Sequence, residues 1–152
     1  MKALQIFNFR GYLGVTLLTG LISVSAMGEV SHPAKLSQKV LDGAAFDDLS
    51  PTISEVENEK ILDFTSLKSS YGKFASGMYK AGPQIFDITE PYSVDEFMFF
   101  LLGSVKFTSA DGSVTTVNAG EGVTIPKEWI GRWETAGYRK IWVIYSKDGS
   151  GL

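Results

Sequence analysis

Between Tyr79 and Tyr145 the chain reads as short strands separated by turns, and this pattern limits its fold more than any other feature. Strand signals fall at 77–80, 84–88, 95–102, 105–108, 114–117, 123–125, 130–134 and 139–145, with breakers between them. Many short strands at such spacing make a jelly roll or barrel. Sixteen glycines in 152 residues supply the tight turns. Asp111-Gly112 suits a hairpin, since both residues tolerate positive φ. The run 95–102 is apolar on both parities and is expected to be covered on both faces, ending at Gly103. Upstream, 51–55 and 60–64 are further strand candidates.

The amino-terminal stretch reads differently. Lys2 and Arg10 flank its start, the run 11–28 carries no charge, and Val24-Ser25-Ala26 offers the small residues that signal peptidase selects. Residues 1–26 therefore read as a secretory signal peptide, with Ala26-Met27-Gly28 as a second cleavage point and a periplasmic or secreted product. Thr16, Thr19, Ser23 and Ser25 dilute a run that is already short for a membrane span, which favours cleavage over anchoring. Cysteine is absent, so disulfides and thiol chemistry are excluded. The net charge of −3 becomes more negative once Lys2 and Arg10 are removed. That disfavours nucleic acid or an anionic membrane surface as partner. Residues 27–50 read as a flexible arm, irregular or briefly helical around Leu36, Val40 and Leu41, and 51–152 as one folded domain. The single histidine, His32, stands in that arm beside Pro33 and reads as solvated. No serine triad, phosphate-binding glycine loop or dinucleotide fingerprint is present.

Two spacings carry a resemblance. Glu96 and Gly103 stand as E-x6-G, and Gly120 and Pro126 as G-x5-P. The segment 93–103, S-V-D-E-F-M-F-F-L-L-G, resembles the first cupin motif, and 118–126, N-A-G-E-G-V-T-I-P, the second. The ending Gly131-Arg-Trp-Glu134, followed by Arg139-Lys-Ile-Trp142, is similar to the subfamily of ureidoglycine aminohydrolases and ethanolamine-utilisation cupins. The resemblance implies an all-β chain: a single cupin-type double-stranded β-helix, a jelly-roll barrel with a pocket in its mouth. It also implies a homodimer, because cupins often pair their sheets.

The histidines that usually arm such a pocket are missing. Counting back from Glu96, the positions of the His-x-His pair hold Glu90 and Tyr92, or Thr89 and Pro91, and the third falls on Gly131. Glu96 alone remains of the usual ligands. One carboxylate is not a transition-metal site, so no cofactor is expected, and a divalent cation held weakly by Glu90, Glu96 and Tyr92 is the residual option.

The chemistry left to the pocket is organic. By strand alternation Glu96, Met98, Phe100 and Leu102 share one face. Lys140, the lysine that the resemblance puts on the closing strand, is the expected partner of Glu96. Tyr79, Tyr92, Trp129 and Trp133 are the aromatic candidates, Trp129 either as a wall of the pocket or as a wedge capping the barrel end. Two functions follow. One is a metal-free binding module for a small polar metabolite. The other is an enzyme of aminohydrolase-like type with Glu96 as general acid or base.

Overall fold

The computed structural model describes residues 32–47, 49–56 and 59–152. The segment read as a signal peptide lies outside them. Among the described residues the strands are β1 (Thr52–Val56), β2 (Glu59–Lys68), β3 (Phe74–Ala81), β4 (Gln84–Ile88), β5 (Asp95–Ser109), β6 (Val114–Asn118), β7 (Gly122–Ile125), β8 (Gly131–Thr135) and β9 (Tyr138–Tyr145). All pairings are antiparallel, in the order β1-β2-β3-β9-β5-β8-β4, with β6 and β7 also paired to β5. The sheet curls into a jelly-roll barrel.

β5 is the spine of this arrangement. Its sequence pattern breaks at Gly103, but the strand runs unbroken for 15 residues. Residues Asp95 to Gly103 pair with β9, and Ser104 to Ser109 pair with β6 and β8. The register slips by one residue between Phe100 and Leu102, a β-bulge. A bulge exchanges the two faces of a strand. Glu96, Met98 and Phe100 are therefore buried on the even parity, and Val105 and Phe107 on the odd. Leu102 does not share the face of Glu96 as alternation alone predicts; it is 57% exposed. Gly103 has φ 74°, and a Cβ there would lie 2.0 Å from the Gly137 carbonyl oxygen. Glycine is the residue that bends here without clashing.

The outer face of β5 is covered only in part. Phe97 is 43% exposed, so the expected burial on both faces fails at that end. At the other end the arm docks. Val40–Ala44 and Ala45–Asp47 form a short helical piece, and Ala45 and Phe46 are buried with Met78, ringed by Leu62, Phe64, Leu101 and Ile141. Those strand residues all point away from the barrel interior and are apolar, so they need a cover. The arm is thus partly folded onto the sheet rather than flexible throughout its length. His32 is exposed.

The barrel interior is packed by Ile61, Met98, Phe100, Val105, Phe107, Val117, Ile125, Trp133 and Tyr138. The Asp111-Gly112 hairpin forms as its composition predicts, with Gly112 at φ 84° and the Asp111 carboxylate accepting the Ser113 N–H.

Candidate functional site

Register explains how the site is assembled. Cross-strand partners share a face, and the pairings Thr52–Asp63, Asp63–Tyr79, Tyr79–Lys140 and Lys140–Phe100 put one row of side chains across the inner surface. The next row is Thr65, Gly77, Trp142 and Met98. A third carries Lys68, Ala75, Ile144 and Glu96. All of these residues except Gly77, Met98 and Phe100 line a cavity of about 270 Å³, bounded on its other sides by Gln84 and Phe86 of β4, Tyr92, and Trp133 of β8. Lys68 Nζ donates to the Leu152 carbonyl oxygen at 2.9 Å, and Leu152 itself contributes to the lining.

Glu96 and Lys140 meet inside. They are 2% and 5% exposed, with Lys140 Nζ 2.7 Å from Glu96 Oε1. The Tyr92 hydroxyl donates to Glu96 Oε2 at 2.5 Å. Both carboxylate oxygens therefore have a donor. Lys140 Nζ also contacts the Met98 sulfur at 2.9 Å and stands 5.3 Å from the ring centres of Tyr79 and Trp133 and 5.8 Å from that of Tyr138. Aromatic faces carry negative potential, so this box suits a cation.

Of the side chains singled out in the sequence, Tyr79, Tyr92, Glu96, Trp133 and Lys140 are brought together on the cavity. Trp129 is not among the lining residues. Its ring packs edge-on against Tyr92 and Phe107, and its Nε1 donates to Ser109 Oγ at 3.2 Å. It occupies the space above Gly131, where an added Cβ would lie 2.7 Å from the indole and 2.3 Å from the Thr108 carbonyl oxygen. A histidine at the third ligand position has no room to stand.

The donor set does not fit a transition metal. Glu96 is the one carboxylate at the expected place, and an ammonium already sits against it. Among the described residues no three His, Cys, Asp or Glu side chains converge. Such metals prefer imidazole or thiolate ligands, which the cavity lacks.

Asp63 lay outside every motif, whereas Trp142 closes the Arg139-Lys-Ile-Trp142 ending. Asp63 lines the cavity from β2, and Trp142 Nε1 donates to its Oδ1 at 3.1 Å. Gly77 permits that contact, since a Cβ there would lie 2.7 Å from the Trp142 ring. Burial pushes the Asp63 carboxyl up to about 6, against the pull of the Trp142 N–H and of Lys140, with Glu96 adding to the rise. Burial also raises the phenols of Tyr79, Tyr92 and Tyr138 above their ordinary value, and the nearby carboxylates reinforce the effect. All three therefore remain protonated donors at neutral pH.

Residues 70–141 match the family model described as the EutQ-like cupin domain. No curated protein is close enough in sequence to count as a relative. Solved structures with the same fold include the EutQ protein of Clostridium difficile, 19% identical with a TM-score of 0.52 over 64% of this chain and 82% of that one. A protein of unknown function from Pseudomonas syringae is 21% identical with a TM-score of 0.54, over 62% of this chain but only 42% of its own length. Another, from Rhizobium leguminosarum, is 21% identical with a TM-score of 0.50 and spans 79% and 99% of the two chains. At these identities the likeness is one of fold.

Proposed function

Because the chain carries a EutQ-like cupin domain, we propose that its barrel binds a small polar metabolite in the cavity between β2, β3, β8 and β9, without a transition metal. One observation carries this reading: the buried Glu96–Lys140 pair, with Tyr92 donating to the second carboxylate oxygen, lies on an aromatic-walled cavity of about 270 Å³. Protein interiors are close-packed, and an ion pair replaced by apolar side chains would hold the fold as well. A cavity with a few placed polar groups among apolar walls is the usual form of a ligand site.

An aminohydrolase-like enzyme is the second reading, and the Tyr92–Glu96–Lys140 chain supports it as a route for a proton. A thermal-shift screen of polar metabolites, followed by calorimetry and turnover assays on the hits, tests both. Glu96→Gln is expected to weaken binding yet leave measurable affinity in a binding module. Complete loss of turnover with affinity retained would move the assignment to the enzyme. A screen in which no metabolite raises the melting temperature would count against both.

A further inference from the structure

The two carboxylates of the cavity are in unlike states. Glu96 has a donor on each oxygen, and Lys140, the cation facing the interior, is spent on it. Asp63 receives only the Trp142 N–H, on Oδ1, among the described residues. The other cationic lining residue, Lys68, is turned to the Leu152 carbonyl. The phenols stay neutral. Ionising Asp63 therefore adds a negative charge to the cavity to which no cationic side chain is bonded among the described residues.

We infer that Asp63 makes the cavity selective for a small organic cation, an ammonium with an apolar or planar body held between the Asp63 carboxylate and the aromatic walls. This rests on the reading of the cavity as a ligand site. The surroundings agree with it. Tyr79, Phe86, Trp133, Tyr138 and Trp142 present aromatic surface, and the same box already holds the ammonium of Lys140 against Tyr79, Trp133 and Tyr138. A carboxylate ligand would meet two carboxylates, with Lys140 already paired to Glu96 and Lys68 turned to the Leu152 carbonyl. A bare metal ion would lack ligands.

The Asp63 carboxyl shares the cavity with Tyr79 of β3, Tyr138 and Lys140 of β9, Glu96 of β5, Tyr92 of the loop before β5 and Lys68 of β2 itself. With its titration raised to about 6, it is largely neutral below that pH. An ammonium needs the ionised form, so its affinity rises with pH through about 6, and binding near that pH releases a proton.

The Trp142 indole N–H, bonded to Asp63, is a local reporter for NMR. Benzylammonium, benzyl alcohol and benzoate share a body and differ in charge, and each is titrated into the protein at about pH 5 and about pH 7.5, on either side of the Asp63 transition. The expected result is that benzylammonium shifts the Trp142 resonance and binds at least about tenfold tighter than the alcohol at the higher pH, with the advantage shrinking at the lower. Asp63→Asn, which keeps an acceptor for Trp142, should erase that advantage and spare the alcohol. Preference for benzoate, or an ammonium advantage that survives Asp63→Asn, overturns the inference and leaves the ligand site standing. If none of the three moves any lining resonance, the ligand-site reading falls with it. Should Asp63→Asn fail to fold, the pH dependence of the unaltered protein decides.

Discussion

Burying Glu96 beside Lys140 leaves each dependent on the other, because an ion removed from water and deprived of its partner is costly. Lys140→Met strands the carboxylate and is expected to cost about 3–5 kcal/mol in urea unfolding. Adding Glu96→Gln to that variant should recover most of the loss, since an amide needs no counter-ion. A single variant as stable as the parent would mean that water reaches the pair. The pairing itself was legible: the E-x6-G spacing pointed to Glu96, and the cupin resemblance pointed to the lysine of the closing strand, Lys140. Asp63 was invisible for a physical reason. Its inward aspect depends on how β2 registers against β3, and that register slips between Thr65 and Leu67. No local pattern reveals such a shift. Trp129 was legible as a turn residue, but the space it fills above Gly131 is made by β5 and β8 together.

At the level of elements, β4 was legible to its last residue, since Pro83 and Glu90-Pro91 punctuate both its ends. β5 was not. Glycine normally signals a break, and two runs around Gly103 read as two strands. The backbone instead passes through positive φ and continues, and the bulge at Leu101 turns the odd residues inward for the second half. Gly103→Ala puts a methyl group against the Gly137 carbonyl in a backbone region that disfavours side chains. The expected cost is about 2 kcal/mol or more, measured as a lower unfolding midpoint. An unchanged midpoint would show that the corner between β5 and the β8–β9 turn can relax. The helical piece in the arm was half legible. Val40 and Leu41 suggested a turn, but the apolar outer positions that hold it, Leu62, Phe64, Met78 and Ile141, lie on three separate strands.

For the molecule as a whole, the strand shared by both halves of the curled sheet matters most. β5 donates one half to β9 and β7 and the other to β6 and β8. Because β5 is built into both halves, opening either half disturbs the strand that anchors the other. The domain is therefore one cooperative unit, and amides in both halves of β5 should exchange with solvent at a common free energy, that of global unfolding. Two separate exchange energies would contradict this. Ligand binding stabilises every region that opens only with the whole. An occupant of the cavity would then slow hydrogen exchange in β6, a strand outside the lining, with no message passing between them except the shared necessity of unfolding together.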